Sequence, residues 1–183
     1  MRMNTNWLAV LSVLVFAPSL ALAGNRHAVT VKGGDVEFHG AVVNTACAVD
    51  AGSLNLTVQM GQVRSDEFHG LGSWTDPQAF SITLKECDTT VSQQVGIAFR
   101  GQTDKKDPGV LAITEGAQSA QGVGLGIFDS QGNLIIPNVQ PLNFTTLQEN
   151  TTVLRFVAKY RATSNNVIAG NANTQTWFTL TYL

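Results

Sequence analysis

Short segments in which apolar and polar residues alternate recur along this chain, and a period of two is the pattern of extended strands. The last segment, residues 174–183, places Thr176, Phe178, Leu180 and Tyr182 on one face. No window after residue 23 repeats its apolar residues at helical spacing over three turns. The other predicted strands are residues 35–43, 54–60, 80–84, 95–99, 122–128, 134–136 and 152–160, and residues 101–121 are predicted to be loop. Several short strands joined by turns predict an all-β fold, a β-sandwich.

Charged residues make up only 13% of the chain, whereas soluble domains usually contain about 25%. The 11 basic and 13 acidic residues nearly cancel, and the basic residues form no cluster. We therefore expect no nucleic-acid partner, since binding to a polyanion requires a concentrated positive surface. An apolar fraction of 44% also argues against intrinsic disorder.

Residues 1–23 have the pattern of a secretory signal peptide. Arg2 supplies the positive charge, residues 7–16 form the apolar stretch, and Pro18 precedes a small-x-small cleavage site at residues 21–23. A membrane anchor is the alternative, but the apolar run is too short to span about 30 Å of hydrocarbon. Cleavage would leave 183 − 23 = 160 residues, which suits one exported domain without membrane insertion.

Export also guides the interpretation of Cys47 and Cys87, which are the only 2 cysteines. An exported chain enters an oxidising compartment, where such a pair forms a disulfide. The spacing is not that of a redox CxxC motif, and no histidine lies close enough in sequence to suggest zinc. We therefore predict a structural disulfide rather than a metal site or a redox site.

The sequence contains no motif of a catalytic or cofactor-binding site. There is no GxSxG elbow, the 3 histidines lack metal-ligand spacing, and no Cys/His pair remains once both cysteines are oxidised. The glycines of residues 122–126 lack the spacing of a phosphate loop and are better explained by close strand packing. We predict that the chain is not an enzyme and holds no cofactor or metal. A secreted carbohydrate-binding β-sandwich is the alternative, in which Phe68, Trp74 and Trp177 would stack on sugar rings.

The segment that follows the predicted cleavage site also looks like a strand. Its apolar and glycine positions are Val29, Val31, Gly33, Gly34, Val36 and Phe38. The paired glycines shift the alternation from one phase to the other, so the sequence does not determine which set would face inward. Such a segment is either a frayed tail or a strand offered to a partner.

Several segments together carry a family resemblance, and the C-terminus matches best. They are VKGGDVEFHG at residues 31–40, VVNTACAVD at 42–50, FSITLKEC at 80–87, VGLGIFD at 123–129 and AKYRAT at 158–163. Gly170 is the fourteenth residue from the end (183 − 170 + 1 = 14), and Tyr182 is penultimate. The chain resembles pilins of the chaperone–usher class and is close to the type 1 fimbrial subunits.

This resemblance implies an incomplete immunoglobulin-like β-sandwich that lacks its seventh strand. Residues 24–38 would be an N-terminal donor-strand extension and residues 39–183 the pilin domain, whose first two strands the Cys47–Cys87 disulfide would join. The apolar and glycine positions of the extension would fill a neighbouring subunit's groove. The chaperone and acceptor groove of this chain would involve Gly170, Phe178, Leu180, Tyr182 and Leu183.

The same resemblance implies partners and a destination. A periplasmic chaperone would first lend a strand to the groove, and a neighbouring pilin would replace it at the outer-membrane usher. The chain would pass through the periplasm to a fimbria on the cell surface. After cleavage, 160 residues are too few for a two-domain tip adhesin, while a major subunit, a minor subunit and an assembly terminator all remain. The Gly-Asn-Arg-His start at residues 24–27 and the bulky Trp74 and Trp177 favour a minor subunit beside the major one.

Overall fold

The computed structural model describes Glu37 and residues 44–183. Apart from Glu37, all of these residues belong to the unit that spans Val42–Leu183. The predicted signal peptide and the donor-strand positions Val29, Val31, Gly33, Gly34, Val36 and Phe38 fall outside the described residues, as does the predicted strand at residues 35–43 apart from Glu37. No helix among the described residues is long and apolar enough to cross a membrane.

The described part of the chain is built of short strands with very little helix. The strands are β1 Ala48–Val49, β2 Gln78–Cys87, β3 Gln94–Arg100, β4 Leu111–Ala112, β5 Val123–Phe128, β6 Leu134–Ile135, β7 Phe144–Thr146, β8 Asn150–Ala162 and β9 Trp177–Tyr182. A one-turn helix, α1 Ala51–Leu54, and a 3₁₀ turn at Ser65–Glu67 interrupt them. The all-β prediction is confirmed.

The strands form two antiparallel sheets. One sheet has the order β1-β2-β8-β5-β4, with β6 also paired to β5, and the other has the order β7-β3-β9. Ladders of backbone hydrogen bonds join neighbouring strands, and the longest runs between β2 and β8 from Gln78↔Ala158 to Lys85↔Thr151. Antiparallel order matches the alternation in the sequence, because one face of each sheet is buried and the other faces solvent.

The main core lies between the two sheets and receives side chains from both of them. Ile82 and Leu84 of β2 are 1% and 0% exposed, and Phe156 of β8 packs beside them. Phe99 of β3 meets Phe156 edge to face, with ring centroids 5.4 Å apart. Such aromatic pairs add stabilisation beyond the apolar area that they bury.

The prediction of a strand at residues 54–60 is wrong. The Asp50 carboxylate accepts a hydrogen bond from the Gly52 amide at 3.0 Å and caps α1, so the chain turns where the strand was expected to begin. Leu54 and Leu56 are 61% and 43% exposed. Alternation specifies a strand only when a neighbour covers the apolar face, and no described strand pairs with this segment.

Two short strands were also missed by the prediction. The region expected to be loop, residues 101–121, contains β4, and β7 was not predicted at all. Both are only two or three residues long, which is too short to display a period of two. They exist because longer neighbours, β5 and β3, supply their hydrogen-bonding partners.

The predicted disulfide between Cys47 and Cys87 is present. Its two cysteines are 5% and 3% exposed and belong to the main core cluster. The bond joins the segment that enters β1 to the end of β2, and β1 pairs directly with β2 through Val49↔Leu84. The Asp88 amide also donates to the Ala46 carbonyl oxygen at 2.8 Å, so a hydrogen bond accompanies the covalent link.

Reducing this disulfide is expected to lower the free energy of unfolding by about 4 kcal/mol, since a closed loop of 40 residues loses much of the entropy of its unfolded state. Urea unfolding with and without reductant measures the change. The double variant Cys47→Ser/Cys87→Ser is the control and should not respond to reductant. An unchanged midpoint for the reduced natural chain would contradict the prediction.

Candidate functional site at the edge strand β9

Strand β9 lies at the edge of the smaller sheet. On one side it pairs with β3, from Arg100↔Trp177 to Val95↔Tyr182. The pairing continues past the strand, because the Leu183 amide donates to the Gln94 carbonyl oxygen at 3.0 Å and the Gln94 amide donates to the Leu183 oxygen at 3.1 Å. On the other side of β9, no strand is paired within the described part of the chain. An edge of this kind offers amide and carbonyl groups to any further strand.

One face of β9 is apolar and only partly covered. Phe178, Leu180 and Tyr182 are all half-buried and pack against the main core cluster. The Phe178 ring meets the Phe99 ring of β3 with centroids 6.5 Å apart. The predicted alternation in the last strand is thus confirmed, and three of the groove residues proposed from the sequence share one face. These side chains retain apolar area that another layer could bury.

Tyr182 links this edge to the disulfide. Its hydroxyl donates to the Cys47 carbonyl oxygen at 3.3 Å, across 135 residues of sequence. Burial raises the pKa of the Tyr182 hydroxyl above its ordinary value of about 10. The sequence placed Tyr182 and Cys47 in separate motifs, and the structure brings them into contact.

Gly170 has a different environment from the other predicted groove residues. A Cβ at this position would come within 2.6 Å of backbone atoms of Gln118, Ser119 and Ala120. The Asn171 amide donates to the Gln118 carbonyl oxygen at 2.7 Å, which holds the two backbones together. Gly170 therefore permits a close approach of two chain segments ahead of β9, and its part in the groove stays a prediction.

A separate cavity of about 580 Å³ lies beside β7, at the edge of the smaller sheet away from β9. Residues of β3, β6, β7 and β8 line it together with the loop that contains Val139 and Leu142. None of the predicted groove residues contributes to its wall. The cavity is therefore distinct from the site at β9.

Trp74 and Phe68, two of the three aromatic residues considered for sugar stacking, are engaged in packing. The Arg161 guanidinium lies 4.9 Å from the Trp74 ring centre, and the Phe128 ring meets Trp74 at 5.0 Å. Gly126 lies beneath the indole, where a Cβ would come within 2.5 Å of two ring carbons, as close strand packing predicts. Phe68 packs against a second core cluster.

Trp177 is the exception, since it is 63% exposed. It lies on β9 in the smaller sheet, whereas Trp74 bridges to Arg161 beside the larger sheet. Two tryptophans on different sheets do not make one stacking platform, so this arrangement gives no support to the carbohydrate-binding alternative.

Comparison with known proteins then decides the family. The family model described as fimbrial protein matches residues 36–183. This chain belongs to the fimbrial protein family. The type-1 fimbrial protein A chain of Escherichia coli is 40% identical over 185 residues, which cover 100% of both chains. A fimbrial subunit is a structural component of a surface fimbria, and the predicted family resemblance is confirmed.

Solved structures support the same fold. A type I fimbria protein of Burkholderia pseudomallei is 34% identical, with a TM-score of 0.59 over 76% of this chain and 91% of that one. A subunit of a chaperone–usher pilus is 23% identical, with a TM-score of 0.65 over 85% of this chain and 100% of that one. Two antiparallel sheets around one core, together with this likeness, confirm the predicted immunoglobulin-like sandwich.

The substitution Gly170→Ala is expected to destabilise the fimbrial domain by about 1–3 kcal/mol, because the added methyl group would displace backbone rather than a flexible side chain. Gly52→Ala is the matched control, since its Cβ would meet only the end of the Asp50 side chain at 3.2 Å. Urea unfolding of both variants measures the difference. Equal midpoints for the two variants would show that the backbone of residues 118–120 can move away from residue 170 without loss of stability.

Tyr160 of β8 is 8% exposed, and burial raises the pKa of its hydroxyl as it does that of Tyr182. The stability of the domain is therefore expected to decline above about pH 10, because the folded state disfavours the ionised forms of both tyrosines. For a raised pKa, the contribution is complete below the unfolded value and is lost as pH rises through the folded value. Tyr182→Phe should reduce this alkaline decline, and Tyr160→Phe serves as the parallel variant. Denaturant unfolding across the alkaline range measures it, and an unaltered decline in Tyr182→Phe would contradict the burial effect.

Proposed function

We propose that this chain is a non-enzymatic structural subunit that polymerises into a fimbria by donor-strand exchange. The observation that carries the proposal is the edge of β9, where a half-buried apolar face adjoins an edge that no described strand pairs. In this proposal the domain of residues 39–183 is a sandwich that lacks its seventh strand, and a strand from a neighbour completes it.

The physical reason is that one added strand can both pair with the backbone of β9 and cover its apolar side chains. Its backbone satisfies the amide and carbonyl groups along the open edge of β9. Its alternate side chains cover Phe178, Leu180 and Tyr182, which the core leaves half-buried. Taking an apolar side chain from full exposure to full burial contributes about 1.5–3 kcal/mol, and the added strand gains the part of this that the half-buried side chains have not yet gained. The strand is therefore held by hydrogen bonds and by apolar burial together.

The donor in this proposal is the segment of residues 24–38, which follows the signal peptide of residues 1–23. In this segment, apolar side chains fill the groove and glycines lie where the groove is shallow. The positions are Val29, Val31, Gly33, Gly34, Val36 and Phe38. A subunit that gives one strand and receives another joins its neighbours head to tail, and such heterologous contacts generate open filaments. Neighbouring fimbrial subunits are thus its permanent partners on the cell surface.

Two transient partners precede the neighbour. A periplasmic chaperone would lend a strand to β9 until the outer-membrane usher exchanges it for the donor segment. Leu183 lies beside this edge, where it is 63% exposed and its backbone is held by Gln94. The Leu183 carboxylate is therefore available to basic side chains of the chaperone.

Within the fimbria we assign the chain to a minor subunit beside the major one. Trp177 is bulky and exposed, and a surface of this kind suits a specialised contact better than a uniform shaft. Subunit counts in purified fibres test the assignment, because a major subunit would dominate them.

Removal of residues 24–38 from the mature chain tests donor-strand exchange. The truncated chain should accept a donor but not supply one, so it should form no homopolymer when chaperone and usher are present. A synthetic peptide of residues 24–38 should raise its thermal midpoint, because the peptide fills the open edge. Homopolymers of the truncated chain would show that another segment donates the strand.

Two altered peptides identify the phase of the donor. One carries Val29→Thr and Val31→Thr, and the other carries Val36→Thr and Phe38→Thr. Threonine keeps the preference for extended backbone and lowers the apolar contribution. The peptide whose inward set is altered should lose most of the thermal shift. If the unaltered peptide produces no shift at all, the open groove itself is refuted.

A further inference from the structure

Trp177 is a large aromatic residue in a regular strand, yet it is 63% exposed. It is the first residue of β9, and its neighbour Phe178 packs on the core, so Trp177 projects from the outer face of the smaller sheet. Exposed single apolar residues are common, but tryptophan carries the largest apolar area of any side chain. This residue therefore offers an unusual amount of contact surface beside the proposed donor site.

The neighbour of Trp177 on β3 does not use that surface. Arg100 lies directly opposite Trp177 in the ladder. Its guanidinium group donates to the Asn138 carbonyl oxygen at 2.9 Å. The Thr176 hydroxyl donates to the Arg100 carbonyl oxygen at 2.8 Å, which fixes the backbone at this end of β9. The backbone at Trp177 is thus held in a defined position, while the indole ring is exposed.

The open edge of β9 is the remaining side from which a neighbouring strand could reach the indole. Residues opposite one another in adjacent strands have Cβ atoms about 4.5–5.5 Å apart. A strand added at this edge would turn every second side chain toward the core and the others toward the outer face. One of those outer side chains would then lie against Trp177.

We infer that Trp177 is the outer-face contact for the donor segment of a second copy and helps to select which strand is accepted. This inference rests on the proposed donor-strand exchange and adds a second layer of recognition to it. The inward side chains of the donor fill the groove. Its outward side chains determine how well the donor covers the indole of Trp177. Differences between donors at outward positions would then change affinity even when their inward positions are identical.

Tryptophan fluorescence provides a direct test, because the mature chain contains only Trp74 and Trp177 once residues 1–23, with Trp7, are removed. The full mature chain with Trp74→Phe reports on Trp177, and the chain with Trp177→Phe reports on Trp74. The peptide of residues 24–38 is added to each, and binding is followed independently by thermal shift. We expect a blue shift and reduced quenching by acrylamide in Trp74→Phe and no change in Trp177→Phe. If Trp74→Phe does not fold, the fluorescence change of Trp177 is obtained by subtracting the change in Trp177→Phe from the change in the natural chain.

Affinity gives a second measurement on the same peptide. Trp177→Thr should weaken binding roughly fivefold or more, because it removes an aromatic contact at the margin of the site. Thr179→Ser is the matched control on the same face and should change affinity little. A thermal shift with unchanged Trp177 fluorescence would overturn the inference and leave donor-strand exchange intact.

Two other outcomes would also overturn it. If the peptide binds and Trp177 becomes shielded only in assembled fibres, the indole contacts the side of another subunit rather than the donor. If the peptide does not bind at all, then donor-strand exchange by this segment fails, and the role of Trp177 fails with it.

Discussion

The hydrogen-bond ladder on one side of β9 is the constraint on which the proposed function depends. It holds six residues in a fixed register with β3 and so decides which side chains face the core. Phe178, Leu180 and Tyr182 are ordered by this pairing before any partner arrives. Because their orientation is established in advance, the binding of a completing strand does not also have to pay the entropy of ordering β9.

The C-terminal end of this ladder is reinforced from a distant part of the sequence. Tyr182 contacts the Cys47 carbonyl through its hydroxyl, and Cys47 is joined covalently to the end of β2. The disulfide therefore lies in the core between the sheets and is also connected to the end of β9 through Tyr182.

Much of this arrangement could be predicted from the sequence, and the failures have a common cause. The strands around Ile82, Leu154 and Phe178 were predictable, because their alternating residues meet a core that covers one face. Residues 54–60 show the same alternation, but no described strand pairs with them and Leu54 stays exposed. The sequence records the pattern but not the presence of a neighbour. For the same reason β7, only three residues long, depends on β3 and could not be predicted from Phe144–Thr146 alone.

The described sheet edges differ in length, and this difference favours one of them for pairing with a further strand. Among the described edge strands, β1, β4 and β6 have two residues each and β7 has three, whereas β9 has six. Very short edges offer too few amide and carbonyl groups to recruit another chain. Backbone pairing with a further strand is therefore directed to β9 among the described edges. In the proposed donor-strand exchange, each subunit accepts one strand at this edge and donates one elsewhere, so the assembly extends in a single direction.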